Sequence, residues 1–240
     1  MSDVTPVGGV RQFPRLDPEP PAGFRTSGPE PTGARVVLVR HGEAYCNVDG
    51  VVGGHRGCRG LTERGRAQAR ALGRYLERSG LAGEMSALYT SELPRAVETA
   101  SLLSLEARGL SPTRSHEWCE IEAGEADGLT WPEVVDRFGV VDWESDPTSP
   151  FSPGGESWLQ FYDRVAGALG VLGERHRGER VLLVTHGGVI EHAVKFALGI
   201  DGTRRLGLRT KHCSWTEVEV DRLRRNLLSY NERVRADAAD

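Results

Sequence analysis

Two rhythms of apolar residues alternate along this chain. Arg35-Val36-Val37-Leu38-Val39 and Val181-Leu182-Leu183-Val184 are short, β-branched and unbroken by polar side chains. Strands read this way when both of their faces are covered. The second rhythm has apolar positions three and four apart, as on one side of a helix. It predicts a helix over residues 62–79, with Ala69, Leu72, Tyr75 and Leu76 facing inward and Thr62 as its N-cap. Further helices are predicted over 91–105, 131–138, 156–175 and 189–198, with a brief strand at 86–89. In the helix over 156–175, Trp158, Tyr162, Val165, Leu169 and Leu172 have core spacing. Ser214, Thr216, Val218 and Val220 alternate with other residues, as in an antiparallel or edge strand. Strands alternating with helices of these lengths indicate an α/β layered domain.

The first 33 residues break the pattern. They hold seven of the thirteen prolines and five glycines, with no apolar period. Such a segment buries too little to offset its ordering entropy, so residues 1–33 are expected to be a disordered tail and 34–240 the folded domain. The chain of 240 residues is long enough for a sizeable core. Its net charge of -4 argues against a partner made of nucleic acid. No apolar run approaches a membrane span and no secretory leader is visible, so a cytoplasmic location with no membrane partner is expected. Cys46, Cys58, Cys119 and Cys213 stand far apart in sequence and read as reduced thiols. His55 with Cys58, or His212 beside Cys213, are the nearest approach to metal ligands. Neither completes a four-ligand set with zinc spacing, so no metal site is assigned. Of 30 basic residues only Lys195 and Lys211 are lysines, a bias that fits genome composition except where a bidentate fork is needed.

Candidate chemistry gathers where strands end. Both buried-type runs finish in histidine and glycine, as Val39-Arg40-His41-Gly42-Glu43 and Val184-Thr185-His186-Gly187-Gly188. Ligands bind beyond the carboxyl ends of such strands. Arg40 beside His41 disfavours the imidazolium and offers a fork to an anion. Ser91-Glu92-Leu93-Pro94-Arg95-Ala96 enters a helix directly from a strand, with Pro94 suited to its first turn. Arg95 therefore lies near a helix N-terminus, where anions are favoured. Arg40, His41, Arg95, His186 and a helix start together describe a phosphate site.

These motifs, with Asn47 and Leu61-Thr62-Glu63-Arg64-Gly65, occur in an order that resembles the histidine phosphatase superfamily, its phosphoglycerate mutase-like branch 1. The resemblance implies a three-layer sandwich, a mostly parallel central sheet with helices on both faces. It implies His41 as the nucleophile, taking the phosphoryl group on one ring nitrogen while a backbone carbonyl holds the other. Arg40, Arg95, His186 and Asn47, with Gly187, would bind the phosphoryl oxygens. No cofactor or metal ion is implied. Three carboxylates compete to protonate the leaving alcohol: Glu120, Glu122 and Glu125. The register of Trp118-Cys119-Glu120-Ile121-Glu122 favours Glu120, provided that burial raises its pKa, and leaves the other two as solvated acids.

The remaining polar candidates read mostly as structural. Glu43 is expected to position its neighbours. Pro153-Gly154-Gly155-Glu156-Ser157 is expected to start a helix near the site. The five tryptophans are expected in the core or a lid, and residues 142–153 as that lid. His55, His116, His176, His192 and His212 are expected at the surface or in packing. Arg56 and Arg59 are left between a second anion site and a solvated loop. A mutase of this kind would carry a longer aromatic loop after Asn47 and a lysine-bearing insertion after the acid. Residues 48–55 and 126–131 are compact and hold neither, which favours a phosphatase of a small phosphorylated metabolite. The alternatives are a phosphoglycerate mutase or a non-catalytic phosphate-binding regulatory module. Residues 222–228 are left as either a last strand or a contact in a homodimer.

Overall fold

A computed structural model describes residues 33–221 and 225–234. Six strands, β1 (Ala34–Arg40), β2 (Met85–Thr90), β3 (Thr113–Arg114), β4 (Arg180–Thr185), β5 (Trp215–Val220) and β6 (Arg225–Glu232), form one sheet in the order β3-β2-β4-β1-β5-β6. The pairs β3/β2, β2/β4 and β4/β1 are parallel, and β1/β5 and β5/β6 antiparallel. The α/β sandwich is thus mostly parallel at its centre with an antiparallel flank. The expected tail lies outside the described residues apart from Gly33. Residues 225–228 of the ambiguous C-terminal stretch belong to β6.

Helices α1 (Tyr45–Asp49), α2 (Glu63–Arg78), α3 (Pro94–Leu102), α4 (Trp131–Phe138), α5 (Trp158–Arg175) and α6 (Gly187–Leu198) complete the layers. Side chains alternate across a strand, so each buried strand feeds two cores. Val36 and Leu38 of β1 and Val181 and Leu183 of β4 meet Phe161, Val165 and Leu169 of α5 with Ile190 of α6. Val37 and Val39, with Leu182 and Val184, meet Ala69 and Leu72 of α2 and Ala96 and Ala100 of α3. Two-sided coverage is why residues 36–39 and 181–184 carry no polar side chain, whereas Arg35 at the start of β1 is exposed.

The expected elements differ from the observed ones at informative places. Thr62 caps α2 by accepting from the Gly65 N–H, and α4 has its expected bounds. The second helix, expected from residue 91, begins only at Pro94, which leaves Ser91, Glu92 and Leu93 as a turn. In α5 it is Phe161, fully buried, that enters the core, while Tyr162 is half-buried and donates to the Ile200 carbonyl at 3.2 Å. The phenol needs a partner that an apolar core does not offer. The short strand β3 and helix α1 have no legible period. No helix among the described residues is long and apolar enough to cross a membrane.

His192 of α6 makes the fold acid-sensitive. Its ring is fully buried, 4.4 Å from that of Trp158 and 4.5 Å from that of Phe161, and neither nitrogen has a hydrogen-bond partner. Burial above all, then Lys195 and Arg164, pushes its pKa down to about 2. The unfolded chain takes up this proton below about pH 6.5 and the folded chain does not. The stability held above that pH is therefore lost as pH falls, at up to about 1.4 kcal/mol per unit for each such group. In urea titrations between about pH 6.5 and 4.5, His192→Leu should show a shallower loss than the parent. An identical slope would mean that His192 does not stay neutral.

Candidate active site

Register places the two strand-end histidines together. β1 and β4 are parallel neighbours whose last partners are Arg40 and Thr185. The next residues, His41 and His186, leave the sheet side by side, their ring centroids 5.1 Å apart. The His41 N–H donates to the Thr185 carbonyl at 2.9 Å, and the Ser91 N–H, at the end of β2, donates to the Val184 carbonyl at 3.1 Å. Three consecutive strands thus deliver His41, His186 and Ser91 to one edge.

The His41 tautomer follows from its contacts. Nδ1 is 2.6 Å from the Gly42 carbonyl, which can only accept, so Nδ1 carries the hydrogen. Nε2 accepts from Arg95 Nε at 3.1 Å and is therefore unprotonated, its lone pair open to phosphorus once the guanidinium turns to the phosphoryl oxygens. Burial, then Arg95, then Arg40, hold its pKa well below the usual imidazole range, against a smaller upward push from the Gly42 carbonyl. The depression expected from Arg40 is present, but burial is the larger cause. His186 Nε2 lies 2.7 Å from Ser91 Oγ, and its Nδ1 is buried without a protein partner. When Ser91 donates to Nε2, the hydrogen on His186 resides at Nδ1, where it can meet an anion. His186 is likewise held neutral, by burial first.

Arg95 sits one residue after Pro94 at the start of α3 and is 4% exposed. It also donates to the Gly53 carbonyl. Thr99 locks the arrangement, donating to the Arg95 carbonyl at 2.7 Å and accepting from the Gly42 N–H at 3.0 Å. Arg40 donates to the Thr210 carbonyl, while its Nε is buried without a protein partner. Asn47 Oδ1 accepts from the Ala44 N–H at 3.1 Å, which leaves its amide hydrogens free to bind oxygen. Arg40, His41, Asn47, Arg95, Glu120 and Gly187 all line one cavity of about 760 Å³. These expected site residues are therefore brought together, while His186 is fully buried beside the His41 ring and does not itself line the cavity.

Glu120 Oε2 accepts from the Gly188 N–H at the start of α6, 3.1 Å away. The glycine is required here: a Cβ at 188 would lie 2.2 Å from Glu120 Oε1 and 2.7 Å from Phe161. Arg164 of α5, which sequence reading passed over, clamps the segment that carries Glu120. It donates to the carbonyls of Glu117 at 2.8 Å and Cys119 at 3.1 Å, and pairs with Glu156 at 2.7 Å. The Gly-Glu-Ser turn therefore does more than cap α5, because Glu156 also holds this clamp. Asp127, likewise passed over, accepts from the N–H groups of Gly54, Arg56 and Gly57 and shapes the loop after α1.

Other expectations need adjusting. His212, expected at the surface or in packing, has its ring 5.7 Å from that of His41, and burial pushes its pKa down to about 4. Its signal was only its adjacency to Cys213. Cys46 and Cys58, distant in sequence, are neighbours beside Arg95, and the hydrogen bond from Cys46 pushes the Cys58 thiol down against the upward effect of burial. Glu122 faces His116 at 3.5 Å instead of standing free in solvent, whereas Glu125 is exposed as expected. Glu43 accepts from Thr62 Oγ1 at 2.8 Å, the positioning role expected of it. Arg59 pairs with Asp49, and Arg56 donates to the Gly124 carbonyl at 3.0 Å. Trp143, in the stretch read as a lid, stacks on Trp158 at 5.2 Å and lines the cavity with Trp131, Val135, Val140 and Phe151. One end of the cavity is thus cationic and the other largely aromatic and aliphatic, with the Arg205 guanidinium 5.8 Å over the Trp143 ring and 5.1 Å over that of Trp158.

The sequence model of the histidine phosphatase superfamily (branch 1) matches residues 36–233. Phosphoglycerate mutase-like protein 4 of Arabidopsis thaliana is 36% identical over 160 residues, 65% of this chain and 68% of its own. Phosphoserine phosphatase 1 of Hydrogenobacter thermophilus is 28% identical over 201 residues, 82% of this chain and 92% of its own. Among solved structures, the alpha-ribazole phosphatase of Shigella flexneri is similar with a TM-score of 0.72 and 27% identity, over 83% of this chain and 97% of that one. A mycobacterial glucosyl-3-phosphoglycerate phosphatase has a TM-score of 0.68 and 28% identity, over 82% of this chain and 99% of that one.

Proposed function

This chain belongs to the histidine phosphatase superfamily (branch 1) and is a phosphatase of that type, and on that premise we propose that it hydrolyses small phosphomonoesters through a phosphohistidine on His41, without a metal ion. The observation that carries the reading is the state of His41: Nδ1–H tied to the Gly42 carbonyl, Nε2 unprotonated and beside Arg95. A buried imidazole fixed in this tautomer is a nucleophile that loses no proton before attack.

In the first step Nε2 attacks phosphorus and the ester P–O bond breaks. The proton on Glu120 passes to the leaving alkoxide. Arg40, Arg95, Asn47 and His186 Nδ1–H bind the three phosphoryl oxygens, whose charge must be matched as the bond loosens. In the second step Glu120, now a carboxylate, takes a proton from water, the resulting hydroxide attacks phosphorus, and the P–N bond breaks. Inorganic phosphate leaves, and His41 and Glu120 return to their starting states. The chain's four free, buried thiols support a reducing, cytoplasmic setting.

The aromatic and aliphatic walls at the far end of the cavity support an alcohol with an apolar body, held beside the cation Arg205. Each buried methylene stabilises by about 0.8 kcal/mol, so aryl or alkyl phosphates should exceed phosphoserine in kcat/KM by roughly 10- to 100-fold. A panel of phosphomonoesters assayed with excess chelator tests both points. Loss of activity in chelator would overturn the metal-free route. Phosphoserine or a bisphosphoglycerate at the head of the panel would overturn the apolar leaving group.

A further inference from the structure

The sheet edge that carries the phosphate site also gathers a second set of chemistry-bearing side chains. Glu92 follows β2, His116 and Cys119 follow β3, and His55 comes from the loop after α1. One ligand atom from each, imidazole nitrogen, carboxylate oxygen or sulfur, lies within 4.8 Å of all the others. None of the four has a part in the reaction above.

The geometry within the set suits a metal ion. His116 Nδ1 is 3.9 Å from Glu92 Oε2, while its Nε2 lies 3.5 Å from Glu122 Oε1. Nδ1 therefore faces the cluster, and Nε2–H has a carboxylate behind it, the outer partner that metal-bound histidines commonly keep. Donors around a tetrahedral zinc ion stand roughly 3.3–3.8 Å apart, from its bond lengths to sulfur, nitrogen and oxygen. A contraction of about 1 Å would reach that spacing. Three of the four residues are exposed and free to make it, closing on a buried sulfur whose segment Arg164 fixes. A thiolate and two imidazoles select a borderline-soft ion, not magnesium or calcium. We propose that His55, Glu92, His116 and Cys119 form a site for one zinc-class divalent cation, and that its occupancy slows the adjacent phosphate site.

The coupling follows from chain connectivity. Glu92 follows Ser91, whose hydroxyl orients His186. His55 stands two residues after Gly53, whose carbonyl accepts from Arg95. Drawing these two exposed ligands onto the fixed sulfur displaces two groups on which the phosphate geometry depends, and a shift near 1 Å can cost about 100-fold in rate. The coupling half rests on the phosphatase reading above, whereas the binding half does not.

The test uses the full chain, stripped of metal and titrated with cobalt(II) and then zinc(II). The expected result is one cobalt ion per chain, a thiolate-to-cobalt charge-transfer band in the near ultraviolet, and its loss as zinc displaces cobalt. Saturating zinc should lower turnover of an aryl phosphate at least about tenfold, and a chelator should restore it. His116→Ala, at an exposed position, should bind about 10- to 100-fold more weakly and keep the metal-free rate. Cys119→Ser should lose the charge-transfer band. Absence of stoichiometric binding, or undiminished binding in His116→Ala, would overturn the site. Zinc inhibition that persists undiminished in His116→Ala would place the metal on His41, His186 or His212 and overturn the proposal too. Binding with no change in turnover would overturn the coupling. If no phosphomonoester were hydrolysed at all, the cobalt spectrum would still decide the site, so the two failures stay distinguishable.

Discussion

Replacing His41 with alanine is expected to lower kcat by roughly 10⁴- to 10⁶-fold, the scale on which removal of a covalent nucleophile acts. The remaining cradle of Arg40, Arg95 and His186 would still bind the phosphoryl group. KM should therefore move much less than kcat, unlike the outcome for a variant that no longer folds. The fold should survive, because the His41 backbone bond to Thr185 does not involve the ring. Rapid acid-avoiding quench with a phosphorus-labelled substrate should trap label on the parent protein as an acid-labile adduct and none on His41→Ala. Activity retained within about tenfold would end the phosphohistidine reading, since water alone could not replace so well-placed a nucleophile.

Glu120→Gln is expected to discriminate between leaving groups. Glutamine keeps the shape and can still accept from the Gly188 N–H through its carbonyl oxygen. It cannot give up a proton. An alkoxide needs that proton, so kcat/KM for an alkyl phosphate should fall by about 10²- to 10⁴-fold. p-Nitrophenolate leaves without help, and the same substitution should cost the aryl ester far less in the phosphorylation step. A uniform loss across both esters would instead assign Glu120 to binding, and Glu122, which faces His116, would not inherit the role from its position.

The parts of this site legible in sequence are those fixed by strand geometry. A buried parallel strand announces itself by an unbroken β-branched run, and whatever follows it must emerge at the carboxyl edge. His41 and His186 could be paired on that ground alone, with Arg95 added through Pro94. The family resemblance supplied Asn47 and Glu120, which no period marks. What stayed hidden depends on long-range closure. Arg164 lies on a helix face like many solvated arginines, and only the fold lays it under the segment before Glu120. The sequence pattern predicts a helix from Ser91; as a turn residue instead, its hydroxyl reaches His186. Likewise, no short spacing links His55, Glu92, His116 and Cys119, which lie far apart in sequence and meet through the loops after α1, β2 and β3.

The two ends of the cavity differ in what holds them. His41 and Ser91 are anchored by backbone hydrogen bonds that continue the sheet ladder, so their amides should exchange with solvent only when the whole sheet opens. The far end is built on α4 and the stretch around Trp143 and Phe151, a small cluster that meets the core under α5 and α6 through Trp143 and Ile121. Local opening there need not disturb a single bond of the ladder. Inheritance can therefore treat the two ends separately. Substitutions at Trp131, Val135 or Val140 can exchange one alcohol for another while the phosphoryl chemistry, written into the sheet, is passed on unchanged.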